Sequence, residues 1–339
     1  MPAVLLWNIE HSSAYQDSFS PKNSFINEVL LACRKDYAMS AVVLLEVTTQ
    51  ESTAQFAQNL QFQHSFHGEG SALKYAILTE AAHKSRDVTA YFPSFSDKPR
   101  GIAHVTAKGL PPLLVTHIKS DQGTSGAACL RDVCEQMREN MHGSPPDWPQ
   151  TGVIALADWN LIADEASNVT RKFGGAIVAP DEPTRYPKIA ANQIMQPAEG
   201  AKTLDYACVF GDLKEKKSLA SFVPDFPYLR STAALLDVYL KRVEERVASL
   251  GTSLEQNAAS VLNALASNTS LVNTNAILDQ QAGLENEKSG LDKAVKKISE
   301  FRERLSSRHR LDNGDRKALH QLVTQAGMGP DHLPVIVQW

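Results

Sequence analysis

One apolar segment ends abruptly in polar residues, and it constrains the fold more than any other part of the chain: residues 152–160 read Gly-Val-Ile-Ala-Leu-Ala-Asp-Trp-Asn. Its length and β-branched content predict a buried strand, and side chains two positions apart on a strand point to the same side. Asp158 and Asn160 would therefore leave the strand end together. An Asx turn that caps a core strand uses the same residue types, so this segment alone does not distinguish a turn from a reactive site.

The composition is typical of a globular protein. The chain has 339 residues and 43% hydrophobic content, which is enough for one large domain or two ordinary ones. The N-terminal residues lack a signal-peptide pattern, no apolar run approaches the length of a membrane span, and the four cysteines have no C-x-x-C spacing. We therefore expect a cytoplasmic protein without membrane contact, in which the cysteines are packing residues.

Several other predicted strands also end in polar residues. Any one such residue is explained by the need to finish a strand in a turn. As a set they offer carboxylates, amides and imidazoles, which can hold a hard divalent ion and transfer protons, and the lack of thiolates favours Mg²⁺ or Mn²⁺ over zinc. The residues at these strand ends are Asn8, Glu46, His117, Asp158, Asn160, Asp205, Asp331 and His332.

Strands alternate with helices through the first 210 residues. Several of the strands are apolar throughout, which predicts sheets packed face to face and covered by helices. We predict an α+β fold, a four-layer α/β/β/α sandwich of two mixed sheets. Residues 88–92 are among the predicted strands, and a final strand is predicted around Val335.

The sequence changes in character after residue 210. Residues 211–328 contain almost no β-rich segment, and Leu271 to about Arg308 form a long run in which apolar residues recur every seven positions. This pattern predicts an inserted all-α hairpin or bundle of coiled-coil character. The stripe packs either within its own hairpin or against a second copy, and short connections favour the first. The stripe is Ile277, Leu284, Leu291, Ile298 and Leu305, and its expected partners are Val238, Val243, Val247, Leu254, Val261 and Leu265.

The order of the motifs resembles that of the endonuclease/exonuclease/phosphatase superfamily, the deoxyribonuclease-I-like metal-dependent phosphoesterases. Ala157 and Pro330 stand where the superfamily has Gly and Ser. The resemblance covers residues 1–210 and 329–339, as a catalytic domain, and it implies that residues 211–328 are an insertion before the final strand. The motifs are Trp7-Asn8-Ile9, Leu45-Glu46, Thr116-His117-Ile118, Ala157-Asp158-Trp159-Asn160, Thr184-Arg185, Leu204-Asp205-Tyr206-Ala207 and Pro330-Asp331-His332-Leu333-Pro334-Val335.

The resemblance implies a role for each residue of the set. Glu46, with Asn8 and Asp331, would hold the metal ion, and Asp158 would activate the attacking water. We also expect the final strand to place Val335 beside Ala207 in one sheet. The remaining catalytic candidates are Asn160, His117, Asp205 and His332, and the substrate-binding candidates are Arg185 and Tyr75.

These roles predict a Mg²⁺- or Mn²⁺-dependent phosphodiester hydrolase. A nuclease acting on DNA or RNA is the first interpretation, because Arg185 and the basic residues from Lys288 to Lys317 offer contacts to phosphate. Acidic residues interrupt that basic run, so a solvated helix face explains it equally well. The alternatives are a phosphatase or phosphodiesterase acting on phosphoinositides or small phosphate esters, and a scaffold that binds a protein partner or itself through the helical insertion.

Overall fold

The computed structural model describes residues 1–10, 21–47, 49–68, 74–96, 101–118, 123–140, 152–186, 200–224, 230–266, 271–306, 323 and 330–339. The chain divides into two compact units. The first consists of Met1–Tyr186, Gly200–Pro227 and Pro330–Trp339, and the second of Pro187–Glu199 and Tyr228–Gly329.

The first unit contains two six-stranded sheets, and each is mixed. The spatial order of the first sheet is β11 (Ala220–Phe222), β12 (Val335–Gln338), β1 (Ala3–Asn8), β2 (Met39–Leu45), β4 (Tyr75–Thr79) and β3 (Gln63–His67). The order of the second is β5 (His83–Asp87), β6 (Ile102–Ala107), β7 (Leu113–His117), β8 (Val153–Asp158), β10 (Asp205–Phe210) and β9 (Ala176–Val178). The β1–β2 and β7–β8 pairs are parallel, and all other neighbours are antiparallel.

Alternate residues of the central strands fill the space between the sheets. Val4 and Leu6 of β1 share one buried cluster with Ile154 and Leu156 of β8. The intervening residues face the helices, as expected for a side-chain period of two. The second sheet packs against α4 (Gly123–Asn140) and α5 (Ala163–Arg171), and the short α3 (Pro93–Ser96) lies beside α4. On the other side, Trp7 of the first sheet contacts α1 (Pro21–Asp36), which packs on α2 (Gln50–Leu60). The predicted four-layer sandwich is confirmed.

The last strand joins a different sheet from the one expected. β12 lies between β1 and β11, with Val335 opposite Leu6, whereas Ala207 lies in β10 of the second sheet. The prediction that Val335 lies beside Ala207 is therefore wrong. The apolar β12 completes the pairing of β1 on one side and gives β11 its partner on the other, whereas β10 already has β8 and β9 as partners.

Two further differences concern the strands at the rim. Residues 88–92, expected as a strand, contain the 3₁₀ turn Thr89–Tyr91, and the strand in this region is the preceding, polar β5. β11 extends the first sheet beyond the boundary expected at residue 210, because it pairs with β12. All four cysteines are buried, which suits a packing role.

The second unit is built on a helical hairpin. Its helices, α6 (Arg230–Ala266) and α7 (Leu271–Ser306), pack against each other within one chain and are inserted between β11 and β12. Leu291 and Ile298 are fully buried, whereas Ile277 and Leu284 are half-buried. Among the expected partners Val243 is buried, but Val238 faces solvent because it lies on the outer side of α6. The side chains of Val261, Leu265 and Leu305 lie outside the described residues.

Charged residues cross the hairpin in pairs. Arg246 Nη2 lies 2.9 Å from Glu287 Oε1, and Arg302 Nε lies 2.7 Å from Asp237 Oδ1. The pair of Arg302 favours a solvated helix face over a phosphate-binding surface at that position of the basic run, because its guanidinium group already faces a carboxylate. Among the helices that the structure describes, none combines the length and apolar content needed to cross a membrane.

Candidate active site

Three polar residues form a row across the second sheet. His117 lies opposite Asp158 in the parallel β7–β8 pair, and Asp158 lies opposite Asp205 in the antiparallel β8–β10 pair. In each strand the residue two positions further in belongs to the core between the sheets. The alternation of an extended chain therefore turns all three side chains towards the gap between the sheets. All three are buried.

The first sheet contributes a carboxamide and a carboxylate to the same gap. Asn8, the last residue of β1, donates from Nδ2 to Glu46 Oε1 at 3.2 Å and to Asp158 Oδ2 at 3.1 Å. Its Oδ1 accepts the backbone N–H of Glu10 at 3.0 Å. Asn8 thus holds two carboxylates side by side through its amino group, and its expected role in holding a metal ion stays a prediction.

His117 lies between the same two carboxylates. Its Nε2 is 3.4 Å from Glu46 Oε1 and 3.7 Å from Asp158 Oδ2. Glu46 follows β2 in a left-handed conformation, with φ of 59°, which turns its chain sharply at the strand end. The amide of Asn8 and the imidazole of His117 thus fix the position of Glu46 from two sides.

Asp205 and His332 form a buried hydrogen-bonded pair. The distance from His332 Nδ1 to Asp205 Oδ2 is 2.7 Å. Thr184 holds Asp205 in turn: its hydroxyl donates to Asp205 Oδ2 at 2.8 Å and accepts the backbone N–H groups of Leu204 and Asp205 at 3.0 and 3.1 Å. Thr184 was not among the candidate site residues, although its pairing with Arg185 in the sequence pointed to this position.

The Nε2 side of the imidazole points towards Asp158. His332 Nε2 lies 3.7 Å from Asp158 Oδ2 and 3.7 Å from Asp331 Oδ1. Burial alone would lower the pKa of His332, but Asp205 and Asp158 outweigh it and raise that pKa to about 10. The imidazole is therefore positively charged at neutral pH.

The surroundings of Asp158 also raise its pKa. Burial and the nearby Asp205 raise the pKa of Asp158 to about 7, against the opposing effects of His332 and of the bonds from Asn160 and Asn8. The backbone N–H of Asn160 donates to Asp158 Oδ1 at 3.1 Å. Asp158 is thus a carboxylate that can exchange a proton near neutral pH.

The other candidates take different positions. Asn160 donates its side-chain amide to the Ile118 carbonyl, so it ties together the chain segments that follow β7 and β8. Arg185 lies at the site with its Nε 3.5 Å from Asp331 Oδ2, and its side chain is 41% exposed. Tyr75 is only 2% exposed and stacks on His67 within the core between the sheets. Its expected contact with substrate stays a prediction.

The donor set fits a hard divalent cation. Asp158, Asp205 and His332 bring potential ligand atoms within 4.8 Å of one another. Because the charged imidazole cannot coordinate a cation, the donors are the carboxylates of Asp158 and Asp205, with those of Glu46 and Asp331 beside them. Asp205 Oδ1 is buried without a hydrogen-bond partner among the residues that the structure describes. The excess of carboxylates over cationic groups and the oxygen-rich donor set suit a hard divalent cation.

The fold and the site define a two-sheet sandwich with a carboxylate-histidine centre between its strand ends. No protein-family model matches the chain, and no curated protein matches it. Solved structures of similar fold include a truncated TDP2 from Caenorhabditis elegans, with 18% identity over 68% of this chain and 90% of that chain and a TM-score of 0.47. Cytolethal distending toxin from Actinobacillus actinomycetemcomitans is similar at 14% identity over 65% and 90%, with a TM-score of 0.46.

A third similar structure is an endonuclease/exonuclease/phosphatase from Bacteroides vulgatus. It shares 10% identity over 65% of this chain and 88% of that chain, with a TM-score of 0.42.

Proposed function

We propose that this chain is a phosphodiester hydrolase of the endonuclease/exonuclease/phosphatase superfamily that uses Mg²⁺ or Mn²⁺. The convergence of the row His117-Asp158-Asp205 with His332 supports this most, because four separate sequence motifs meet there. The same residues carry the sequence resemblance, in the same order. A group of strand-capping residues without a common purpose would not need to be buried together.

Asp158 is the general base of the proposed reaction. Its pKa of about 7 lets it take a proton from water at neutral pH, which is the condition for efficient base catalysis. Asn8 and the backbone of Asn160 each bind one of its oxygens, so the carboxylate keeps one orientation. The attacking water is then activated on a fixed side of the phosphorus.

His332 is the cationic group that stabilises the developing charge on the phosphoryl oxygens. Asp205 binds its Nδ1–H, which leaves the Nε2–H directed at Asp158 and the substrate position. Thr184 keeps Asp205 in place for that task. The imidazole therefore approaches the phosphoryl group already charged and oriented.

Glu46 and Asp331 would hold the metal ion, with Asn8 and His117 orienting Glu46. A bound ion would neutralise charge and polarise a phosphoryl oxygen. Without it the carboxylates of this site would repel a phosphate, so activity depends on the cation.

We propose nucleic acid as the substrate. Support comes from Arg185, whose half-exposed guanidinium lies beside the site and can contact a neighbouring phosphate. A phosphoinositide would present phosphates to the same arginine, so the two substrate classes need a direct comparison. The helical hairpin lends little support to either, because Arg246 and Arg302 already face carboxylates.

The experiment compares five substrates at equal protein concentration: plasmid DNA, single-stranded DNA, RNA, a soluble phosphoinositide and a small chromogenic phosphodiester. Each is measured with Mg²⁺, with Mn²⁺ and with EDTA, using an Asp158→Asn preparation as control for contaminating nucleases. Metal-dependent cleavage of a nucleic acid by the parent protein alone supports the proposal. If phosphate is released from the phosphoinositide in preference, the substrate is a phosphoinositide and not a nucleic acid. Inactivity on all five substrates would refute the proposal that the protein is a hydrolase.

A further inference from the structure

A buried tryptophan of the first sheet contacts the backbone of His332. The indole Nε1–H of Trp7 donates to the His332 carbonyl at 2.9 Å, across 325 positions of the sequence. Trp7 is 1% exposed and its ring packs edge-on against Phe25 of α1, with ring centroids 6.4 Å apart. Packing on the helix layer thus fixes the indole, and the indole N–H meets a carbonyl that water does not reach.

The other contacts of this short segment come from the opposite side. Leu333 donates its backbone N–H to the Thr184 carbonyl at 2.6 Å, and Tyr186 donates to the Asp331 carbonyl at 2.9 Å. The imidazole itself is bound by Asp205 of the second sheet. Residues 331–333 therefore lie between the two sheets. The first sheet binds the His332 carbonyl through Trp7, and the second binds the His332 imidazole through Asp205.

We propose that Trp7 is a positioning residue for His332, a role that rests on the function proposed above. The bond from the indole fixes the His332 main chain relative to β1, and the next residue of β1 is Asn8, which binds Glu46 and Asp158. One rigid strand thereby sets the distance between the imidazole and the two carboxylates. A displacement of about 1 Å at a reacting group can lower a rate by about 10²-fold, so this distance matters for the reaction.

The first test replaces Trp7 by phenylalanine, which removes the N–H donor. We expect kcat for the small chromogenic phosphodiester to fall by about 10-fold or more, with KM within about twofold, because the loss affects the transition state alone. Trp339→Phe is the matched control. It makes the same substitution directly after β12, where the Trp339 backbone N–H meets the Pro2 carbonyl, and it should leave kcat unchanged.

A double-mutant cycle separates positioning from general loss of stability. In a His332→Ala background, Trp7→Phe should cause no further loss of rate, since the side chain that it positions is gone. An equal loss in both backgrounds would overturn the proposal. If Trp7→Phe folds poorly, the benzothiophene analogue of tryptophan at position 7 keeps the bicyclic shape and lacks the N–H, and the same comparison applies.

A readout without substrate distinguishes this proposal from the proposed function. In the metal-free protein, exchange of the His332 Nδ1–H with solvent can be followed by nuclear magnetic resonance of histidine-labelled protein. We expect about 10-fold faster exchange in Trp7→Phe, because a mobile main chain opens the bond to Asp205 more often. Unchanged exchange in Trp7→Phe would overturn the positioning role even in an active enzyme. Faster exchange in a protein inactive on all substrates would uphold the positioning and refute the hydrolase.

Discussion

His332 Nδ1 lies 2.7 Å from Asp205 Oδ2, although the two residues are 127 positions apart. Most of the intervening chain forms the helical hairpin, which leaves the first sheet after β11 and returns at β12. β11 and β12 are neighbours in that sheet. An insertion between adjacent antiparallel strands needs no change in the strands themselves, so the site can keep its geometry beside a large additional unit.

The first prediction concerns the reactive groups. Glu46→Gln, Asp158→Asn and His332→Ala should each lower kcat/KM by about 10²-fold or more, because each removes a charge or a proton-transfer group at the reacting centre. Initial rates with saturating Mg²⁺ measure the loss, and circular dichroism checks that each variant is folded. Full turnover by Glu46→Gln in EDTA would contradict a metal-dependent mechanism.

The second prediction concerns pH. Activity should rise as Asp158 loses its proton, through about pH 7, and fall as His332 loses its own, through about pH 10. The base works deprotonated and the imidazole works protonated, so the profile of kcat/KM is bell-shaped. In His332→Ala the residual activity should show no alkaline limb. An alkaline limb of unchanged position in that variant would assign the limb to another group.

The third prediction concerns Thr184. Thr184→Val removes the donor to Asp205 and the acceptor of two backbone N–H groups, all buried. We expect a loss of about 1–3 kcal/mol of unfolding free energy together with a lower kcat. Thr170→Val is the control, since its equally buried hydroxyl donates to the Ala166 carbonyl within α5. That variant should keep its kcat, and denaturant titration with parallel kinetics makes the comparison.

The fourth prediction concerns a close approach between α4 and the loop after β8. A Cβ at Gly126 would lie 2.6 Å from the Trp159 carbonyl oxygen and 3.4 Å from that of Asn160, so Gly126→Ala must displace the loop that carries Asn160. We expect a lower melting temperature and a lower kcat. At Gly251, within α6, an added methyl group would meet no described residue within 4 Å beyond its own stretch of helix. Gly251→Ala should therefore stabilise its helix by roughly 0.5–1 kcal/mol without affecting kcat.

The fifth prediction concerns the hairpin. Leu291 is 1% exposed and Leu278 is 46% exposed, although both lie in α7. Leu291→Asp should selectively unfold the hairpin, because burial of one leucine is worth roughly 1.5–3 kcal/mol and a buried carboxylate adds to the loss. Leu278→Asp should have little effect. Hydrogen exchange resolved by peptide checks that protection is lost in α6 and α7 while the two sheets stay protected.

The sequence predicts the interior of the sheets better than their rims. All eight interior strands follow from apolar runs, from β1 to the terminal β12. The four edge strands, β3, β5, β9 and β11, were not predicted, because a strand paired on one side and partly solvated needs no continuous apolar pattern. The histidine-rich β3 and the charged β5 are the clearest examples.

The site shows the same division. Side chains at the ends of interior strands could be predicted because an abrupt change from apolar to polar residues marks them. The bonds that orient them could not be, since Trp7 meets a backbone carbonyl and any residue supplies one. The sheet that β12 joins could not be predicted from the sequence either, because an apolar strand can pair equally well with either of two apolar neighbours.

The position of the hairpin also orders events during synthesis. A ribosome completes β1 and β11 well before β12, and it must translate the whole hairpin in between. Until then β1 lacks its partner on one side, β11 has not joined the sheet, and the imidazole of the site does not yet exist. Every chain released from the ribosome within the hairpin therefore lacks His332, and it leaves one side of the β1 backbone unpaired.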